Sequence, residues 1–209
     1  CIIIVNQFFM EKIMKKILLT VIAMFLSMSV FAKKKYDAKE IMGWTQEQVI
    51  EAFGEPNDMA ESEGSTVNYN FIYPEIKTSN ICYYYKGFMV SFGNFFTAKK
   101  TESGYAKEKS VLLVNAVTTS KDCTELKLPF NLTTNDTLED VLDICGEPYM
   151  NFGGNIIDYK YKKVRVSPNE IGLDFLKDVQ RIDIEPTLQM FFENNELCGI
   201  FYIETYTLK

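Results

Sequence analysis

One short pattern occurs twice in this chain, first in residues 45–56 and again in residues 137–148. Each copy starts with Thr, carries apolar residues at helical spacing and ends in Gly-Glu-Pro. Thr caps a helix N-terminus, Gly accepts the positive φ that ends a helix, and Pro blocks continuation. Such recurrence indicates one supersecondary unit used twice. The motif positions are Thr45, Gly54 and Pro56 in the first copy and Thr137, Gly146 and Pro148 in the second.

Segments rich in aromatic and β-branched residues follow each predicted helix, which is typical of strands. Residues 37–42 are interpreted as a further short helix, Lys86-Gly87 and Asn194-Asn195-Glu196 as hairpin turns, and residues 97–109 as an exposed polar loop. The sequence therefore predicts an α+β fold of two tandem repeats. Each repeat is expected to be a short helix pair packed on one face of a 3–4-stranded antiparallel sheet.

The N-terminal part of the chain has the pattern of a secretory signal. Residues 14–32 contain a charged start, a short apolar run and a small-residue cleavage site, the arrangement of a signal peptide. We expect export to the periplasm or the extracellular space, with an uncleaved membrane anchor as the alternative. Residues 1–13 are interpreted as an upstream extension outside the fold. The expected organisation is repeat 1 in residues 33–118, a linker in 119–127 and repeat 2 in 128–209.

Charge and composition exclude several classes of function. The net charge is −6, and such an acidic chain is a poor candidate for binding nucleic acid or an anionic membrane surface, which need clustered Lys and Arg. The chain contains no histidine, which excludes Ser-His-Asp and Cys-His catalysis and His-ligated metal sites. We therefore expect a protein that is not an enzyme and that holds no metal and no cofactor.

Four cysteines follow the predicted signal peptide: Cys82, Cys123, Cys145 and Cys198. They allow three complete disulfide pairings, and the sequence does not select one. A Cys145–Cys198 bridge and two buried thiols are both compatible with the pattern. No Cys-x-x-Cys spacing is present, so neither a redox motif nor a zinc site is indicated.

Two carboxylates, Asp183 and Glu185, alternate with Ile182 and Ile184. Because successive side chains of a strand point to opposite faces, this alternation predicts a short strand with its charges in solvent, ended by Pro186. A paired-carboxylate hydrolase is chemically conceivable without histidine. Solvated surface charge is the preferred interpretation.

Aromatic side chains at period-2 spacing are the candidate partner-binding residues. Residues i and i+2 of a strand share a face, and helices on one face of a sheet leave the other for a partner. Exposed aromatic residues often dominate protein interfaces, whereas packing in the core is the alternative role. The candidates are Tyr69, Phe71, Tyr73, Tyr83, Tyr85, Tyr159 and Tyr161.

The repeated motif resembles a known superfamily. A Thr-capped helix ending in Gly-Glu-Pro and followed by aromatic strands is similar to the SmpA/OmlA unit of the BamE-type envelope proteins. A similar unit occurs in tandem in the β-lactamase inhibitory proteins, and the Leu-Pro-Phe-Asn-Leu of residues 128–132 is similar to the lead-in of many exported repeats. The resemblance implies helix pairs on antiparallel sheets and protein binding rather than catalysis. The lipid-attachment cysteine of BamE-like proteins is absent, and no functional residue is carried over.

These observations together favour an exported, non-catalytic protein–protein interaction module of the cell envelope or secretome. One alternative is a proteinaceous inhibitor of a secreted or periplasmic enzyme, as in the β-lactamase inhibitory proteins. Another is a binder of a small molecule or wall fragment in the groove between the repeats. The expected partner is a protein, with no nucleic acid and no stable membrane span after signal cleavage.

Overall fold

Antiparallel strands make up most of the regular structure. The computed structural model describes residues 34–63, 76 and 78–209. Their strands are β1 (Tyr36–Asp37), β2 (Asp58–Glu63), β3 (Ser79–Tyr85), β4 (Phe88–Thr101), β5 (Gly104–Thr119), β6 (Leu126–Lys127), β7 (Met150–Phe152), β8 (Ile156–Lys160), β9 (Val164–Val166), β10 (Ile182–Glu193) and β11 (Glu196–Leu208). The α-helices are α1 (Gln46–Phe53) and α2 (Leu138–Cys145), and short 3-10 helices lie at Pro129–Asn131 and Pro168–Ile171.

Nine of the described strands form one sheet. Its order is β2-β3-β4-β5-β11-β10-β8-β7, and β9 pairs with β10 beyond the end of β8. The strands that follow each motif helix thus form one half of the sheet. The halves meet where β5 and β11 pair antiparallel, with Val117 opposite Tyr202. The remaining described strands, β1 and β6, form a separate parallel pair.

The predicted fold class, an α+β arrangement of two helix pairs, each on its own 3–4-stranded sheet, is wrong. The described residues are mostly β, with one α-helix per motif copy and one large sheet. Of residues 37–42, Asp37 belongs to β1 and the others form turns instead of a helix, and the chain then bonds to β5. The N–H of Gly43 donates to the carbonyl of Val114 at 2.8 Å, and the Val114 N–H donates to the Trp44 carbonyl at 2.8 Å. The halves form one sheet because the backbone N–H and C=O groups at the edges of β5 and β11 hydrogen-bond to each other.

The motif helices begin and end as their sequences predict. The Thr45 side chain accepts the N–H of Gln48, and the Gln48 side chain accepts the Thr45 N–H at 2.9 Å. Thr137 and Asp140 form the same reciprocal pair. Each helix ends at the motif glycine, where φ is 85° in the first copy and 78° in the second, with extended ψ. That backbone region is essentially restricted to glycine.

The two helices lie on one side of the sheet. Val49 of α1 and Val141 of α2 are fully buried in a cluster that includes Leu188 of β10. A second buried cluster contains Leu173, from the segment after Pro168–Ile171, and Ile182 of β10. Because Ile182 and Leu188 are an even number of residues apart on one strand, both clusters lie on the same side of the sheet.

Candidate binding surfaces

The predicted aromatic candidates divide into two groups. Tyr69, Phe71 and Tyr73 lie outside the described residues. The other four, Tyr83, Tyr85, Tyr159 and Tyr161, all pack on the helix-covered side of the sheet. Period-2 spacing therefore places these four on a common face, and that face is the one that the helices cover.

Tyr85 and Tyr159 hold the ends of the motif helices. The Tyr85 hydroxyl donates to the Gly54 carbonyl at 3.0 Å, and the Tyr159 hydroxyl donates to the Gly146 carbonyl at 2.9 Å. Burial raises the pKa of Tyr85 to about 12, and burial likewise raises the pKa of Tyr159 to about 12. Tyr83 is buried, and its hydroxyl accepts a hydrogen bond from the Gln46 amide at 2.5 Å.

A row of paired residues crosses the other side of the sheet. We call it the open row, and it consists of Asp58, Tyr84, Met89, Thr118, Phe201, Gln189, Asp158 and Met150. None of these residues is buried, and Tyr84 and Met150 are 39% and 45% exposed. From β3 to β8 the neighbouring row on the helix side is buried: Tyr83, Val90, Val117, Tyr202, Leu188 and Tyr159. Met59 of β2, which continues this row beside Tyr83, is 61% exposed.

The open row has the composition of a protein interface. Tyr, Phe and Met are enriched at such interfaces, and the open row contains Tyr84, Met89 and Phe201. The carboxylates of Asp58 and Asp158 have no ion-pair partner within the described part of the chain. One oxygen of Asp158 accepts a hydrogen bond from the Gln189 amide at 2.9 Å. The row therefore combines an apolar middle with negative charge toward both ends.

A partly enclosed cavity of about 240 Å³ is lined by residues from both halves of the chain. Its lining residues are Lys39, Met42, Gly43 and Leu113 from the first half of the chain and Ile171, Ile184, Glu204 and Tyr206 from the second. Glu204 projects from the same side of β11 as buried Tyr202 and Tyr206. Glu204 is not among the site residues predicted from the sequence. Its position two residues from both Tyr202 and Tyr206 nevertheless indicates that the three side chains share one face of the strand.

A cluster of positive charge surrounds Asp183, which is 1% exposed rather than solvated as the sequence predicts. Its carboxylate lies 2.9 Å from Arg181 Nε and 3.3 Å from both Lys163 Nζ and Lys209 Nζ. Arg165 Nε lies 4.0 Å away. Burial opposes ionisation, but the ammonium groups of Lys209 and Lys163 and the charge of Arg181 lower the pKa of Asp183 below its ordinary value. The surrounding cations thus compensate the charge of Asp183, although Asp183 Oδ1 and Arg181 Nε form no hydrogen bond with the described residues.

Among the described residues, Cys82, Cys123, Cys145 and Cys198 are thiols rather than disulfides. The Cys198 thiol donates to the Phe191 carbonyl at 3.2 Å, and burial raises the pKa of the Cys145 thiol. Within the described ranges no three Cys, Asp or Glu side chains are grouped to hold a metal ion.

Comparisons with protein-family models, with curated proteins and with solved structures find no match for this chain. The resemblance to SmpA/OmlA repeats therefore stays a prediction. The helices in the described part of the chain are too short or too polar to cross a membrane.

Proposed function

We propose that this chain is an exported, non-catalytic module that binds a folded protein on the open row of its sheet. The observation that supports the proposal is the contrast between two adjacent rows. The row facing the helices is buried from Tyr83 of β3 to Tyr159 of β8, while the open row leaves Tyr84 and Met150 exposed and Phe201 half-buried at its centre. Aromatic residues at the centre of a surface are typical binding hot spots.

The charges of the row indicate the chemistry of the partner. Asp58 and Asp158 lack cationic partners among the described residues, and the chain as a whole has a net charge of −6. A partner with an apolar centre flanked by Lys or Arg complements this arrangement. Export is supported by the signal-like residues 14–32, and the absence of histidine supports a non-catalytic role.

Site-specific crosslinking tests this proposal. A photoreactive residue in place of Phe201 is expected to capture one exported protein, and the same residue in place of Ile144 is not. Ile144 is a matched apolar control because it is 52% exposed on α2, on the other side of the molecule's sheet. Capture at both positions, or at neither, contradicts the proposal.

The affinity of the purified partner then provides the quantitative test. Phe201→Asp is expected to weaken binding at least about tenfold, as for a hot-spot residue, while Ile144→Asp leaves it unchanged. Thermal unfolding of both variants checks that each is folded. If the partner is a secreted hydrolase whose activity falls on binding, the module acts as an inhibitor. Equal affinities for the two variants would show that binding does not use the open row.

A further inference from the structure

The cavity lined by both halves of the chain has one carboxylate in its lining, that of Glu204. Glu204 accepts a hydrogen bond from the Tyr206 hydroxyl at 2.6 Å and a longer one from the Tyr202 hydroxyl at 3.4 Å. Both tyrosines are almost completely buried. No Lys or Arg of the described residues lies within ion-pair distance of Glu204. Two donors thus orient the carboxylate, and no cation neutralises it.

The position of Glu204 makes an unneutralised charge costly. Burial raises the pKa of Glu204, and the two tyrosine hydroxyls oppose that rise only in part. A carboxylate held in apolar surroundings gains from any cation that reaches it. The Glu204 side of the cavity is therefore selective for a positively charged or hydrogen-bond-donating group.

One wall of the cavity carries the opposite charge. Lys39 Nζ lies 4.2 Å from the centroid of the Tyr161 ring and 4.9 Å from that of the Phe130 ring. The two rings are nearly parallel, with centroids 6.0 Å apart. Cation–π contact of this kind holds an ammonium group in place without neutralising it. Neither ring lines the cavity, so Lys39, which does line it, holds its positive charge at the edge of the space that Glu204 also lines.

The charges at the two sites exclude simple ions as the best occupants. A cation attracted by Glu204 is repelled by Lys39, and an anion attracted by Lys39 is repelled by Glu204. A molecule that carries both charges satisfies both groups. The other walls, formed by Met42, Leu113, Ile171 and Ile184, are apolar and suit a hydrocarbon body between or beside the charges.

The volume limits the size of that molecule. About 240 Å³ is smaller than the ~300–1,000 Å³ of pockets for drug-sized ligands. A ligand with few heavy atoms fits, and a peptide does not.

We propose that this cavity binds a small zwitterion with an apolar side chain, of the free α-amino-acid class. Its ammonium group is received by Glu204 and its carboxylate by Lys39. The apolar side chain lies against Met42, Leu113 and the two isoleucines. This ligand site is separate from the open row, so it stands or falls independently of protein binding there.

Calorimetry and thermal unfolding of the full chain test the proposal with four probes: leucine, methionine, N-acetyl-leucine and leucinamide. Leucine or methionine is expected to bind and raise the melting temperature. N-acetyl-leucine lacks the ammonium and leucinamide lacks the carboxylate, so each is expected to bind at least about tenfold more weakly than leucine, the loss that one charge-assisted hydrogen bond implies.

Variants locate the binding. Glu204→Gln and Lys39→Met are each expected to weaken leucine binding at least about tenfold. Glu185→Gln, which removes an exposed carboxylate from the neighbouring strand, is the matched control and leaves it unchanged. Should Glu204→Gln fail to fold, Lys39→Met at the cavity wall decides the question. Absence of binding by both amino acids, equal affinity for leucine and leucinamide, or unchanged binding by Lys39→Met would overturn the proposal.

Discussion

The hydroxyl of Tyr159 donates a hydrogen bond to the carbonyl oxygen of Gly146 at 2.9 Å. Tyr85 makes the same bond to Gly54, at 3.0 Å, in the other motif copy. In both copies a strand tyrosine satisfies the carbonyl of the glycine that ends the motif helix. Since the carbonyls at a helix C-terminus lack partners within the helix, this contact links the helix to the sheet. The motif thus extends structurally beyond Gly-Glu-Pro to a tyrosine on the strand below.

Removing either hydroxyl is expected to destabilise the fold. Tyr85→Phe and Tyr159→Phe should each lower the free energy of unfolding by about 1 kcal/mol, the net value of one intramolecular hydrogen bond. Urea denaturation measures the change. Tyr84→Phe is the control, because the Tyr84 hydroxyl has no hydrogen-bond partner in the described part of the chain, and a change within ~0.5 kcal/mol is expected. An equal loss in all three variants would show that these bonds are not the cause.

The same tyrosines predict a loss of stability in alkali. Burial raises the pKa of Tyr85 and of Tyr159 to about 12 in the folded protein, against about 10 in an unfolded chain. Between these values the unfolded state releases the proton first, so the free energy of unfolding falls as the pH rises from about 10 to about 12. The double variant Tyr85→Phe/Tyr159→Phe should lose less stability over that interval. Urea denaturation at about pH 9 and about pH 11 makes the comparison, and parallel losses would contradict it.

Local sequence signals predicted the local structure well. Thr45 and Thr137 cap their helices because a capping interaction involves only residues within one turn. The turn at Lys86-Gly87 is confirmed, with Tyr85 paired with Phe88 across it. The turn at Asn194-Asn195 is also confirmed, with φ of 53° and 67°. Such features depend on backbone preferences that a few neighbouring residues determine.

Features that depend on distant pairing were not predictable in the same way. Residues 97–109, predicted as a loop, continue the β4–β5 hairpin to Thr101 and Gly104, because backbone pairing does not need apolar side chains. Pro186, predicted to end a strand, lies inside β10. Its carbonyl accepts the Tyr161 N–H at 3.1 Å, and the N–H that proline lacks would point the same way. The missing donor therefore lies at the gap between β8 and β9. The pairing is therefore interrupted in the neighbouring strand, between β8 and β9, while β10 continues through Pro186.

The charge cluster at Asp183 predicts an acid-sensitive contribution to stability. The pKa of Asp183 is lowered in the folded state against the opposing effect of burial, so its contribution is present above the ordinary Asp pKa and is lost as the pH falls through the lowered value. Asp183→Asn should therefore lower the melting temperature by several degrees at neutral pH, because it leaves Arg181, Lys163 and Lys209 without their shared anion.

The pH dependence distinguishes this effect from a packing defect. The difference in melting temperature between wild type and Asp183→Asn should be smaller at an acidic pH below the lowered pKa of Asp183 than at neutral pH, because there the wild-type carboxylate is protonated as well. Glu185→Gln is the control, since Glu185 is exposed and pairs with Lys163 alone, and exposed pairs contribute little. A deficit for Asp183→Asn that is the same at both pH values would indicate lost packing rather than lost charge.

The junction between the halves of the sheet contains a glycine that we expect to be sensitive to substitution. A Cβ added to Gly199 of β11 would overlap the backbone carbonyl of Thr119 of β5, and the Thr119 hydroxyl accepts the Ile200 N–H at 3.2 Å. Gly199→Ala must therefore push β11 away from β5, and overpacking of this kind costs about 1–3 kcal/mol. Gly153→Ala is the control, because Gly153 has a positive φ of 64° but nothing within 4 Å of an added Cβ. Urea denaturation, followed by the fluorescence of Trp44 next to β5, should show a larger loss of unfolding free energy for Gly199→Ala than for Gly153→Ala. Hydrogen exchange at the Ile200 amide should also be faster in Gly199→Ala than in wild type. If Gly199→Ala unfolds like wild type, the two halves do not meet as closely in solution as this junction requires.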